Sequence, residues 1–129
     1  MSRQTYAYAV CLIALVALLF AVPRIINAWS DQREPLRVKQ PSSEPDVSSF
    51  DVFLADVEKR LGPREYYHWQ LEHDKDRGWA VYVATRDAWI SKVQFEARRA
   101  LISNGTLGVI AILLFVSHLR IAQKAKTVR

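Results

Sequence analysis

Two histidines and two aspartates crowd one stretch of this chain, "REYYHWQLEHDKDRGWAVYVAT", Arg64 to Thr85. His68 and His73, with Asp74 and Asp76 beside them, are the residue types that hold a divalent metal. Their spacing, H-x4-H with no cysteine nearby, matches no standard zinc pattern, so no metal is expected. Glu65 and Glu72 form an acidic pair without a partner of recognisable role, and glycosidase chemistry needs two carboxylates flanking one bond. No serine nucleophile motif and no phosphate-binding glycine pattern occur. Catalysis and cofactors are therefore not expected. Trp69, Trp79 and Trp89 are rich enough in ring surface to cage a ligand, but each also suits a core. The same stretch read as strands gives a polar face of Tyr66, His68, Gln70, Glu72 and Tyr82, the candidate partner-contact surface.

The elements that must position these residues follow from where the apolar residues fall. Of 129 residues, 50% are apolar and 24% charged. The two kinds are segregated along the chain. Residues 5–22 and 101–119 carry no Asp, Glu, Lys or Arg. Each is long enough for a helix to cross about 30 Å of hydrocarbon. All 13 acidic residues lie between them, and the net charge of +5 comes from Arg3 at one end and Arg120, Lys124, Lys126 and Arg129 at the other. Basic residues beside spans favour the cytoplasmic side. The expectation is a membrane protein with both termini inside and residues 23–100 external, in a bacterial inner membrane. The basic tail is read as a positive-inside anchor, with contact to anionic lipid headgroups as the alternative, and not as a nucleic-acid footprint.

The first apolar block also resembles a signal sequence, with "INA" before Trp29 as a cleavage site. Its length and its single early basic residue favour an uncleaved span. Cys11 falls inside it as a packing residue. Ala17 and Ala21 form a small-xxx-small pair that would let another helix approach. His118 is the one titratable group in the second block and is expected near its cytoplasmic end.

Between the spans, residues 23–47 hold Pro23, Pro35, Pro41 and Pro45 and few large apolar side chains, which reads as an interfacial segment and an extended tether. Phe50, Phe53, Leu54, Val57 and Leu61 form one helical stripe. Ser48 or Ser49 would cap that helix, and Gly62-Pro63 would end it. Tyr67, Trp69, Leu71 and then Trp79, Val81, Val83 alternate with period two, and "DKDRG" has turn chemistry. Together they predict a β-hairpin with those six residues on one face. From Thr85 as N-cap a second helix should run to Ala100 and into the second span, with a possible break at "SNGTLG". "NGT" within it matches a glycosylation acceptor.

The expected fold is thus an α+β membrane protein: two transmembrane helices flanking an external helix–hairpin–helix domain over residues 48–100. A domain that small buries little core, and two strands alone are not a stable sheet. These limits point to a non-catalytic accessory or assembly subunit of a larger membrane complex, leaning on an integral-membrane partner or a second copy. The alternative is an envelope ligand-binding or sensing module acting through a partner. A small membrane-perturbing protein of holin type is the third.

Overall fold

The computed structural model describes residues 3–127. Among them it is 87% helical and contains no strand. The elements are α1 (Arg3–Arg33), α2 (Phe50–Leu61), α3 (Pro63–Glu72) and α4 (Lys75–Thr127), with one 3-10 turn at Pro35–Arg37. The α+β expectation is therefore overturned, and so is the hairpin. The chain divides into two compact units, residues 31–95 and the remainder, with α4 contributing to both.

The unit formed by residues 31–95 explains why the hairpin failed. The "DKDRG" segment starts a helix instead of turning a strand. Asp74 caps α4: its Oδ1 accepts from the Arg77 N–H at 2.9 Å, and its carbonyl accepts from Gly78 N–H at 2.8 Å. Asp76 then sits in the first turn, where the exposed N–H groups favour a carboxylate. Burial along α4 falls at Gly78, Tyr82, Trp89 and Val93, a helical period that the aromatic and β-branched composition hid. Gly78 needs no positive φ; among the described residues only Gly62 has one, at 79°. Thr85, expected as an N-cap, lies mid-helix and its Oγ1 donates to the Val81 carbonyl at 2.8 Å.

α2 is the helix the stripe predicts. Ser49 Oγ accepts from Val52 N–H at 3.3 Å, and Gly62 N–H closes the other end onto the Glu58 carbonyl at 2.9 Å. Phe53 is buried against Val47, Tyr82, Trp89 and Val93, with Phe50, Leu54 and Val57 packed around them. The Tyr82 hydroxyl, wholly inside, donates to the Val47 carbonyl at 3.3 Å.

The proline-rich segment is no free tether. Val47 is buried, and its N–H donates to Gln40 Oε1 at 2.9 Å. Arg60 Nη2 donates to the Glu44 carbonyl at 2.6 Å, and Lys92 pairs with the Glu44 carboxylate at 3.0 Å. Residues 40–47 are a strap laid over α2 and α4. Individually such exposed pairs contribute little; the strap is held mainly by Val47 entering the core.

The other unit pairs α1 with the second part of α4. Both helices are long and apolar enough to cross a membrane. Along α1, Ala7, Cys11, Ala14, Leu18, Ala21, Ile25 and Ala28 are buried or half-buried. The steps alternate four and three, the 3.5-residue period of a left-handed helix pair. Along α4 the same alternation runs through Ala97, Leu101, Asn104, Gly108, Ala111, Phe115, His118 and Ala122. The two seams meet antiparallel: Tyr6 and His118 rings lie 5.9 Å apart, Cys11 Sγ approaches the Phe115 carbonyl at 3.7 Å, and Gly108 faces Ile25 Cδ1. Small residues in the seam let the backbones come close, and Leu12, Ile13, Leu19, Phe20, Ile112 and Leu113 point outward.

α1 does not stop at Val22 but carries Pro23 inside it. The proline leaves the Leu19 carbonyl without its N–H donor, a defect that apolar helices tolerate. "SNGTLG" is unbroken helix too. Asn104 Nδ2 donates to the Ala100 carbonyl and Thr106 Oγ1 to that of Ile102, both at 2.8 Å. Among the expected basic ends, Arg129 and the side chains of Arg3 and Lys126 lie outside the described residues.

Two outcomes follow. Ala21→Leu, which overfills the seam, should cost about 1–3 kcal/mol in denaturant unfolding of the full chain in detergent. Leu19→Ala, on the outward face, should change it by no more than about 0.5 kcal/mol; equal effects would reject the seam. The second concerns Asp56. Its carboxyl is held below the ordinary value of 3.8, first by the hydrogen bond from Arg60 Nε at 2.9 Å and then by the Asp46 N–H at 3.1 Å, with desolvation opposing them. A depressed carboxyl stabilises above its unfolded value, and that contribution is lost as pH falls through the folded one. Hydrogen-exchange protection of the Asp46 amide should fall below pH 3.8, and Asp56→Asn should remove that pH dependence. An identical pH profile in both proteins would show that Asp56 does not hold the strap.

Candidate functional site

The joint between α2 and α3 is a single glycine. At Gly62 the positive φ turns the chain, and its carbonyl accepts from Tyr66 N–H at 2.9 Å to begin the next helix. Pro63 takes the first helical position, where its missing N–H costs nothing. α3 therefore folds back beside α2, and Tyr66, Trp69 and His73 fall at i, i+3 and i+7 on one side of it.

These three rings stack. Tyr66 and Trp69 lie 5.9 Å apart at 9°, and Trp69 and His73 lie 4.7 Å apart at 16°. His73 Nδ1 is within 3.0 Å of the Trp69 carbonyl, which ties the last ring to the end of its own helix. Where α4 begins, Gly78 lies beside the stack: a Cβ there would stand 3.6 Å from Trp69 Cη2 and 4.0 Å from Phe50 Cζ.

The result is a cleft of about 610 Å³ on α2, α3 and the first turn of α4. Phe50, Leu54, Trp69 and Gly78 supply its apolar lining; Asp51, Gln70, Asp74 and Lys75 supply its polar groups. A second, more polar cleft of about 460 Å³ lies along the strap beside Arg37, Asp46 and Arg60.

The expected contact surface does not survive as one face. On a strand, residues two apart share a side; on a helix they diverge by about 200°. Tyr66 and Gln70 line the cleft, whereas His68 and Glu72 are exposed on another side of α3. Tyr82, expected at the surface, is 5% exposed and belongs to the core. Of the six residues expected on the hairpin's apolar face, Tyr67 and Leu71 are instead 60% and 66% exposed.

The tryptophans divide as well. Trp89 is buried, Trp69 lines the cleft, and Trp79 is 52% exposed, with its ring 5.1 Å from Phe50 at an edge-on angle. In the other unit, Ala21 is buried in the seam while Ala17 is half-buried at its margin. The small-residue register there is seven, through Ala14, Ala21 and Ala28, and not four.

Among the described residues no three His, Cys, Asp or Glu side chains gather as metal ligands. The cleft was missed because it needs α3 to be a helix. Pro63 at the first turn and the i, i+3, i+7 spacing of Tyr66, Trp69 and His73 were the available signals.

Gly78 tests the cleft's construction. At 3.6 and 4.0 Å an added methyl makes ordinary van der Waals contact. Gly78→Ala should therefore stabilise the chain by up to about 1 kcal/mol through helix propensity, read as a higher thermal midpoint. A marked loss would mean that the Trp69 and Phe50 rings approach Gly78 more closely.

No protein-family model matches this chain, and neither the curated proteins nor the solved structures give a significant match.

Proposed function

We propose that this chain is a non-catalytic accessory or assembly subunit of a larger membrane complex. Its two apolar helices serve as spans, and residues 31–95 form a small docking module outside the bilayer. The observation that carries this reading is the outer side of α3. Arg64, Tyr67, His68 and Leu71 fall at i, i+3, i+4 and i+7, and all are exposed. A module with its own core at Phe53, Tyr82 and Trp89 has no folding need for a large aromatic and a leucine in water. Clustered exposed apolar groups rimmed by polar ones mark contact surfaces.

The membrane reading is supported by the outward apolar faces of α1 and α4. On α1, Tyr6 and Tyr8 lie towards one end and Trp29 towards the other, all exposed. Tyr6 and Trp29 are separated by about 35 Å of helix. Aromatic rings settle at the two interfaces of a core about 30 Å thick. The basic ends favour termini in the cytoplasm, and we infer residues 31–95 on the periplasmic side of a bacterial inner membrane. The partner is an integral-membrane protein.

One experiment addresses both halves. His68→Cys is labelled in intact cells with a membrane-impermeant, thiol-reactive photocrosslinker and then irradiated. Labelling from outside, followed by a discrete adduct with a different membrane protein, is the expected result. Failure to label without opening the cells would overturn the orientation. Labelling with no adduct, or only with a second copy, would overturn the accessory role.

A further inference from the structure

We propose that two copies of this chain pair through α4, on the side of that helix that meets neither α1 nor the core of residues 31–95. This goes beyond the docking role and does not depend on it. In the span, Ile102, Val109 and Val116 recur every seven residues and are exposed. Gly105, Ile112 and Leu119 fall three residues after each of them. That alternation of three and four is the period of a left-handed helix pair, and it is separate from the seam that meets α1. Within residues 31–95 the same register holds Ala84, Ala88, Ser91 and Phe95, all exposed, Phe95 by 68%.

Lipid contact would explain the exposed apolar side chains of the span. It does not explain Gly105. The other glycines have a use within the chain: Gly62 turns it with a positive φ, Gly78 lies against the Trp69 ring, and Gly108 lies under Ile25. A Cβ on Gly105 would meet nothing within 4 Å. Glycine inside a helix weakens it relative to alanine, and this one gains no contact in return. On a span, a glycine lets another backbone come close.

The flanks of the face identify the other helix as a second α4. Asp87 and Lys92 border the face on opposite sides. In a parallel pair in register, these are the positions whose charges meet across the seam, Asp87 of one copy with Lys92 of the other. Two-fold symmetry makes the pair twice. Lys92 is held at that edge, 3.0 Å from the Glu44 carboxylate and 5.3 Å from the centre of the Trp89 ring. Asp87 is exposed and has no ion pair among the described residues. Copies inserted the same way run parallel, and β-branched residues in the register of Ile102, Val109 and Val116 favour two strands. Arg98 is the one charge within the face and opposes pairing. It lies just before the apolar block that begins at Leu101, where its long stem can carry the guanidinium out to the headgroups.

The test uses the full chain in native membranes, with Cys11→Ser removing the native thiol. Copies with two different tags are co-expressed, each with the same single cysteine, and oxidised with copper phenanthroline. Ser91→Cys and Ile112→Cys should each give a disulfide-linked dimer that holds both tags. Lys59→Cys on α2 and Leu107→Cys on another side of α4 should give none above background. A short bismaleimide should link Asp87→Cys in one copy to Lys92→Cys in the other, but not Asp87→Cys to itself. Gly105→Leu fills open space in the single chain. It should leave the far-UV circular dichroism unchanged and lower the Ser91→Cys dimer several-fold.

Equal bands from all four positions, no dimer at Ser91→Cys and Ile112→Cys, or adducts with a different protein in place of the second copy would overturn the proposal. So would a dimer indifferent to Gly105→Leu, or bismaleimide linkage without preference for unlike copies. The His68 adduct is read on α3, so failure of the docking role and failure of this pairing are told apart.

Discussion

The unit of residues 31–95 hangs on Tyr82. Its ring meets Phe50 and Phe53, each with ring centres 5.5 Å away, and Trp79 at 5.3 Å, while its hydroxyl reaches the Val47 carbonyl. Three separate pieces of chain, α2, the strap and α4, therefore converge on one side chain. A buried phenol without a partner would be costly, so the hydroxyl fixes where the strap must run as well as holding it. Once Val47 is placed by that bond, the Gln40 contact and the Glu44 and Asp46 contacts to Arg60, Lys92 and Asp56 fall within reach. They refine a path that Tyr82 sets.

The pairing of α1 with α4 works by the opposite chemistry. Among lipids, apolar side chains gain nothing by leaving one apolar surroundings for another, so helix association depends on close packing. Alanine, glycine and cysteine in the seam supply it. The larger Leu18, Ile25, Leu101 and Phe115 are spaced between them, so bulk on one helix can settle where the other is small, as Ile25 does over Gly108. Asn104 and His118 also sit in the seam. Their side chains answer to carbonyls one turn back in their own helix, Ala100 and Leu114, which keeps their polarity from opposing the pairing.

What could be read from the sequence was what one dominant signal specified. The two apolar blocks, the stripe of α2, its Ser49 cap and its Gly62-Pro63 stop each rest on a single period or a single residue's conformational need. The hairpin reading failed where two periods fitted the same letters. In "WAVYVAT" the large residues alternate, and β-branched and aromatic composition favours a strand. Yet Gly78, Tyr82, Trp89 and Val93 carry the helical period that burial follows. The deciding evidence lay outside the segment, since an Asp-Lys-Asp run serves equally as a turn or as a helix start. Tertiary context chose the helix because Tyr82 and Trp89 then face α2 and the strap together. As a strand, with Tyr82 on the polar face, the segment would have left that core without the Tyr82 ring.

The strap was misread for a related reason. Low hydrophobicity and three prolines over residues 34–46 describe a segment that cannot form a core of its own, and that remains true. It does not follow that the segment is free. One apolar residue, Val47, is enough to pin its far end when the adjoining carbonyl has a buried donor waiting. The cleft depends on this economy too. Its rings hold position because Tyr66, Trp69 and His73 brace one another along one side of a ten-residue helix and its C-cap. Without that internal stack, so short a helix would have neither the length nor the core contacts to keep an aromatic wall in place. Rigidity of the wall is therefore a property of α3's own sequence.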